Sequence, residues 1–375
     1  MNNFPAHSKP ATMPVIHTFA MIWTTSKSLW QTQKRPRNPY FAQAYDFMEK
    51  WLTGQAEFVL HTSGSTGMPK PITVTRRQLA ASAAMTGKAL SLGRGTRALV
   101  CLNVGYIAGL MMLVRGMELE WELTVTEPTS NPLAALDHTD FDFVAMVPMQ
   151  LEAILENPAT KGQVTQLGKI LLGGAPVNAS LADRVRHLDV PVYQSYGMTE
   201  TVSHVALKAL NGDDTSDLYQ VLPGIALGTD ERGCLFVSGA VTNEQRVQTN
   251  DLVEISGQSF QWIGRADNVI NSGGVKIVLD QLDQRLALIL KEMQVPNAFF
   301  SWWLPDEKLG QKLVLIIENE LAEQTLADLA AEIRSRVSTY ENPKHIYFAK
   351  TFAKTATDKI DKRATFQQLL ASSNG

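Results

Sequence analysis

The sequence predicts an α/β protein in two parts. A large N-terminal domain of mainly parallel sheet covered by helices, with a β-rich segment at its end, spans residues 1-265, and a smaller α+β C-terminal domain spans 266-375. Three observations predict this. From Phe58 to Leu172, short apolar runs alternate with Gly- or Pro-containing loops and helical stretches, the pattern of parallel strands whose ligand loops gather at their carboxyl ends. Gly233 to Ile263 then holds short strands in close succession. After Gly264-Arg265 the order changes to strand, helix, two strands and helix, as in a separate unit, and 375 residues suit two or three domains.

Taken in order, a helix-like stretch from Tyr40 to Leu52 follows the solvated basic loop Lys34-Arg35-Pro36-Arg37. Strands are expected at Phe58 to Leu60, Leu99 to Leu102, Phe143 to Val147 and Lys169 to Leu172. The most apolar stretch, Ala98 to Val114, approaches membrane-spanning length, but Asn103, Gly105 and Gly109 interrupt it. It reads as a buried strand, a loop and a buried helix from about Ile107, so no integral membrane segment is expected. Strands follow at Cys234 to Ser238 and Leu252 to Ile255, then Val275 to Val278, Ala298 to Trp303 and Leu313 to Ile317. Helices are expected at Asp280 to Lys291 and Leu326 to Val337, before a Lys-rich tail.

Composition narrows the function. Hydrophobic residues make up 45% and charged residues 19% of the chain, which can therefore bury a sizeable core. Lys+Arg 34 against Asp+Glu 37 gives a net charge of −3 without a dense basic tract, which argues against nucleic acid as a partner. The two cysteines, Cys101 and Cys234, sit in apolar surroundings, as in a reducing compartment such as the cytoplasm. The histidines lack metal-ligand spacing, and the N-terminus lacks the charged start and apolar run of an export signal.

The loop Thr62-Ser63-Gly64-Ser65-Thr66-Gly67-Met68-Pro69-Lys70 packs four hydroxyls, two glycines and a lysine into nine residues. Glycines let backbone N–H groups approach a polyanion, hydroxyls add donors and lysine adds charge, so it reads as a phosphate cradle. The nucleotide-triphosphatase P-loop requires Gly-Lys-Ser/Thr, whereas Pro69 and Pro71 flank Lys70 here.

This loop resembles the signature of the adenylate-forming superfamily, which includes acyl-CoA synthetases, luciferases and peptide-synthetase adenylation domains. The resemblance recurs in order along the chain. Gly173-Gly174-Ala175-Pro176 resembles the adenine-side loop, and Tyr193-Gln194-Ser195-Tyr196-Gly197-Met198-Thr199-Glu200-Thr201 the central motif. Thr249-Asn250-Asp251 stands at the ribose-binding motif. Gly264-Arg265-Ala266-Asp267 with Gly273-Gly274 resembles the hinge and thioester-forming loop, and Lys354-Thr355-Ala356-Thr357-Asp358-Lys359-Ile360 the catalytic-lysine motif. The resemblance implies ATP, Mg²⁺ and coenzyme A as cofactors or co-substrates. It implies a carboxylate joined to AMP with release of pyrophosphate, then attack by the CoA thiol.

By the same resemblance Thr199 would bond the α-phosphate, Glu200 would hold Mg²⁺, and Tyr196, beside Gly197, would stack on adenine. Asp251 would accept from the ribose hydroxyls and Arg265 would support the ribose-phosphate region. Lys359 would bridge the carboxylate and α-phosphate until a mobile C-terminal domain turns about Asp267, bringing Gly273-Gly274 towards CoA. Asn250, Ala353, Asp358 and Lys362 depart from the family pattern, which has Gly, Pro, Gly and Arg there. Only about sixty residues precede the phosphate loop, so an N-terminal subdomain of longer relatives is expected to be reduced or missing.

Within the superfamily, Tyr106-Ile107-Ala108-Gly109, the segment through Arg115, the run Met198 to Leu207 and Leu222-Pro223-Gly224 are most similar to the o-succinylbenzoate:CoA ligases of menaquinone biosynthesis. That similarity implies a dianionic substrate, 2-succinylbenzoate, with Arg115, Ser203 and His204 as candidates for its ring carboxylate. Two alternatives stay open. One is a ligase for another aryl or medium-chain acid; the other is a catalytically silent adenylate-binding homologue, suggested by Asp358 beside Lys359.

Overall fold

The computed structural model describes residues 22–61, 71–355 and 360–373. The phosphate loop Thr62 to Lys70, the residues Ala356 to Lys359 and the first 21 positions lie outside the described residues.

A 12-stranded sheet organises most of the described chain up to Arg265. Its parallel part runs Glu122–Thr126, Arg97–Val100, Phe143–Met146, Ile170–Leu172, Val192–Gly197. Side chains alternate across it: Phe143 and Ala145 join one core with Val100, Met112 and Trp121, while Val144 and Met146 join a second with Leu99, Ile154 and Leu181. A strand buried on both faces reads as an unbroken apolar run, which is why Arg97–Val100, Phe143–Met146 and Ile170–Leu172 were visible in the sequence, while Glu122–Thr126 and Val192–Gly197 were not assigned as strands.

Beyond Val192–Gly197 the sheet turns antiparallel. His204–Ala209 pairs back on it, and Tyr219–Val221, Ser259–Arg265, Val247–Ser256, Cys234–Ser238 and Ala226–Thr229 extend it. The expected β-rich segment is therefore the far half of one continuous sheet.

Helices cover the parallel half. Pro39–Leu52 starts with Asn38 Oδ1 accepting from the backbone N–H groups of Tyr40 and Phe41, and it buries Phe41, Ala44, Met48 and Trp51 at helical spacing. Arg76–Leu90 opens with a capping box between Thr75 and Gln78. Ile107–Leu119 is buried over nearly its whole length, as its sequence implied, and stops where Glu120 turns left-handed at φ 56°.

Two expectations change. The strand expected at Phe58 to Leu60 exists as Glu57–His61, but it pairs antiparallel with Pro71–Thr75 outside the large sheet, so a hairpin rather than a strand-to-helix turn flanks the phosphate loop. The Lys-rich tail contains a further strand, Ile346–Ala349, and a helix, Lys362–Ser373.

The second sheet begins four residues after the first ends. Its five strands are Val275–Val278, Val269–Ser272, Gly310–Glu318, Phe299–Asp306 and Ile346–Ala349. Leu279–Glu292 and Glu323–Arg336 pack Leu282, Leu286, Leu329 and Ile333 against one face, and Phe352 and Leu369 pack with Phe300 and Ile316 on the other. Truncating Leu286 to Ala would cost about 2–5 kcal/mol by the usual cavity penalty.

Candidate active site

Strand ends and the turns after them build the site. Gly173 follows Ile170–Leu172 at its carboxyl end, and a Cβ there would lie 2.6 Å from Ser195 Oγ, which itself donates to Leu172 O. Gly174 sits at φ +81°, a conformation that favours glycine, and carries the loop outward with Ala175 half-buried behind it.

The neighbouring strand Val192–Gly197 carries the central motif. At Gly197 a Cβ would stand 2.3 Å from Ser203 O, so only glycine lets the returning strand close up where the register shifts. Thr201 Oγ1 accepts from Met198 N–H (3.1 Å) and lies 2.7 Å from Ser203 O, tying the short turn Thr199–Thr201 to the next strand. Val202 is fully buried at φ 66°, ψ −53°, and Ser203 N–H donates to Thr201 O at 2.7 Å, a γ-turn of the rare, strained kind. This turn exposes Glu200 to solvent, and its carboxylate has no hydrogen bond or ion pair among the described residues. An exposed carboxylate beside the Thr199 hydroxyl is a hard-oxygen donor set suited to Mg²⁺, which keeps several waters and shares phosphate oxygens.

Asp251 and Arg265 are register partners on adjacent strands, and their side chains meet, with Arg265 Nη1 3.6 Å from Asp251 Oδ1. Asp251 is buried and already accepts from Tyr196 Oη at 2.6 Å and Trp262 Nε1 at 3.2 Å. Tyr196 packs edge-on against Phe260, and burial together with Asp251 pushes its phenol well up. Thr249, named in the ribose-binding motif, accepts from Asp251 N–H at 3.0 Å, whereas Trp262 was not singled out from the sequence. An aromatic residue two positions before Gly264-Arg265 is the signal that was there.

Asp267 forms a two-point pair with Arg265, at 2.9 and 3.0 Å. The adjoining junction between the sheets is held by Asp280, which accepts from Arg265 N–H and Asn268 Nδ2. Lys362, three residues after Lys359, donates to half-buried Asp283 at 2.8 Å and lies 3.8 Å from Asp280. Lys291 and Asp183 pair between Leu279–Glu292 and Ala179–Arg186. Gly273 and Gly274, at φ 61° and 85°, form a tight hairpin tip, and Gly273 N–H donates to Leu309 O.

On the other side of the central motif lies a buried polar cluster. Arg115, 2% exposed, donates from Nε to Thr86 Oγ1 (3.3 Å), from Nη2 to Ser203 Oγ (3.1 Å) and weakly from Nη1 to Met112 Sδ (3.6 Å). His204 Nε2 lies 3.1 Å from Thr86 Oγ1 and Nδ1 3.4 Å from Ser203 Oγ. Arg115 pairs with no carboxylate among the described residues, and burial brings its pKa down to about 10. Burial and the nearby guanidinium hold the His204 imidazole well below its usual range.

The three sequence candidates for the ring carboxylate therefore do come together, and Thr86 joins them. Its signal was faint: Ser82 and Thr86 interrupt the apolar stripe Leu79, Ala83, Leu90 of their helix. Tyr106, 56% exposed, stands at the start of the helix bearing Arg115. Gly109 has a packing role, because a Cβ there would lie 2.3 Å from Asn103 O.

Comparison with known proteins matches this arrangement to one family: residues 12–227 fit the AMP-binding enzyme model. The chain belongs to the AMP-binding enzyme family. A solved structure of an acyl-CoA synthetase (AMP-forming)/AMP-acid ligase II-like protein from Dyadobacter fermentans is 79% identical, covering 93% of this chain and 100% of that one, with a TM-score of 0.67. The o-succinylbenzoate CoA synthetase from Bacillus subtilis, solved with the acyl-adenylate OSB-AMP, shares the adenylate-forming fold at 21% identity, with a TM-score of 0.66 over 81% of this chain and 68% of that one. A 2-succinylbenzoate–CoA ligase of Enterococcus faecalis is 26% identical over 335 residues, 81% of this chain and 68% of its own. The chain spans about two thirds of the length of the curated relatives it matches.

Proposed function

We propose that this AMP-binding enzyme is an ATP- and Mg²⁺-dependent acid:CoA ligase acting on 2-succinylbenzoate. The observation that carries the substrate choice is Arg115, a buried guanidinium without a described anionic partner. A buried cation is costly unless paired, and a guanidinium presents five N–H donors, of which the described residues use three. A substrate carboxylate would supply the missing charge and accept the remaining donors in the two-point geometry that arginine favours. The relatives named for this acid support the same choice.

The chain's residues then divide the work. Gly173, Gly174 and Ala175 border the adenine side, and Tyr196 stacks on adenine there. Asp251 Oδ2, engaged by Tyr196 alone among the described residues, keeps a lone pair for a ribose hydroxyl. Thr199 donates to the α-phosphate, and Thr62 to Lys70 cradle the outer phosphates. Glu200 and Thr199 would hold Mg²⁺, which offsets phosphate charge as the acid approaches. Lys359 neutralises the two meeting anions during adenylation. Rotation about Asp267 then carries it away and brings Gly273-Gly274 to the pantetheine path.

The pairs Arg265–Asp267 and Lys291–Asp183 are contacts such a rotation would have to exchange.

Pyrophosphate release measured with 2-succinylbenzoate, 4-phenyl-4-oxobutanoate, benzoate and a medium-chain fatty acid tests the reading. The acid without the ring carboxylate leaves buried donors unpaired, roughly 1–3 kcal/mol per group, so its kcat/KM should fall by tenfold or more. Equal use of both acids would overturn the substrate assignment, and no release with any acid would favour a silent adenylate-binding homologue.

A further inference from the structure

Resting on the proposed role of Arg115, the hydrogen-bond inventory around Thr86 reaches one residue further. A threonine hydroxyl has one hydrogen and two lone pairs. Thr86 Oγ1 has three polar neighbours: Ser82 O at 3.0 Å, Arg115 Nε at 3.3 Å and His204 Nε2 at 3.1 Å. The Ser82 carbonyl can only accept, so the hydrogen goes there. Arg115 Nε can only donate, and it takes one lone pair. The other lone pair faces His204 Nε2, which must therefore carry a hydrogen.

The rest of the ring follows. Neutral imidazole has a single N–H, which leaves Nδ1 bare. Ser203 Oγ accepts from Arg115 Nη2 at 3.1 Å, and its own hydrogen is directed to His204 Nδ1 at 3.4 Å. Arg115, Thr86, His204 and Ser203 thus close a circuit in which every proton has one place. Among the four, Arg115 is the donor whose N–H groups are not all used by the described residues.

We infer that Thr86 is the positioning residue of the acid pocket: its hydroxyl fixes the guanidinium and the His204 tautomer so that the unused N–H groups of Arg115 meet the substrate's second carboxylate. Without that hydroxyl, Arg115 Nε and His204 Nε2 lose a shared acceptor, and the ring is free to adopt the other tautomer.

The test uses Thr86→Val, which keeps the shape and removes the hydroxyl, with Thr86→Ser, which restores it. The ratio of kcat/KM for 2-succinylbenzoate to that for 4-phenyl-4-oxobutanoate should drop at least tenfold in Thr86→Val, through KM for the dianion, and return in Thr86→Ser. Nitrogen-15 spectra of the imidazoles should show His204 of the wild-type protein protonated at Nε2, and Thr86→Val should lose that single state. Wild-type selectivity in Thr86→Val, or a His204 proton on Nδ1 in the wild-type protein, would overturn the inference. A wild-type enzyme that does not distinguish the two acids would sink the substrate reading instead, and the imidazole spectra would still decide the role of Thr86. They require no substrate.

Discussion

Replacing Arg115 with Met should uncouple stability from substrate choice. Burial lowers this guanidinium from 12.5 to about 10, which corresponds to about 3 kcal/mol against its charged form at neutral pH. Its bonds to Thr86 and Ser203 return roughly 1 kcal/mol each, and both hydroxyls keep other partners when it is gone. Methionine fills most of the volume with adaptable apolar atoms. Arg115→Met should therefore leave the acid-free protein as stable as before, or more stable by about 1 kcal/mol, where breaking a well-paired buried charge would cost roughly 3–5 kcal/mol. The same change removes the charge for the second carboxylate, and kcat/KM for 2-succinylbenzoate should fall about a hundredfold, near 3 kcal/mol. Urea unfolding without acid, read together with pyrophosphate release, measures both quantities. Destabilisation beyond 3 kcal/mol would show that the guanidinium is paired more strongly than its burial costs, and unchanged acid selectivity would place the second carboxylate elsewhere.

Three further outcomes are expected. Glu200→Gln keeps the size of the exposed side chain and removes its charge, so adenylation should slow at least tenfold, about 1.4 kcal/mol of barrier; wild-type rates in saturating Mg²⁺ would refute the metal role. Lys359→Ala should cripple adenylation yet spare CoA attack on a supplied acyl-adenylate, while Asp267→Pro should slow thioester formation; equal losses in both half-reactions for Lys359→Ala would mean one static site. His204 is held neutral when folded, so below pH 6.5 the unfolded chain takes up a proton that the native state refuses, and stability falls with pH. Above pH 6.5 this contribution is flat; below it, down to the folded-state pKa, the loss approaches about 1.36 kcal/mol per pH unit, and unfolding midpoints of His204→Gln should show a correspondingly shallower acid slope.

Local chemistry wrote much of this protein into its sequence. Strands such as Phe143–Met146 are apolar on both faces and helices such as Ile107–Leu119 are apolar nearly all round, so they were legible without a partner. The motif around Thr199 and Glu200 was legible through its resemblance to the superfamily, and within it Gly197 is required because a Cβ there would meet Ser203 O. The hairpin made by Glu57–His61 and Pro71–Thr75 was not, because period-two patterning does not say which neighbour a strand will choose. The proposed acid site shows the same division. Arg115, Ser203 and His204 could be named from the sequence, but a lone arginine in an apolar helix does not reveal whether it reaches solvent. Only the packing of Arg76–Leu90 against Ile107–Leu119 and His204–Ala209 buries the guanidinium without a described anion and sets Thr86 against it, 29 positions earlier in the chain. Likewise Asp251 meets Tyr196, 55 positions away, because their strands enter one sheet, and that long-range pairing is what local sequence cannot encode.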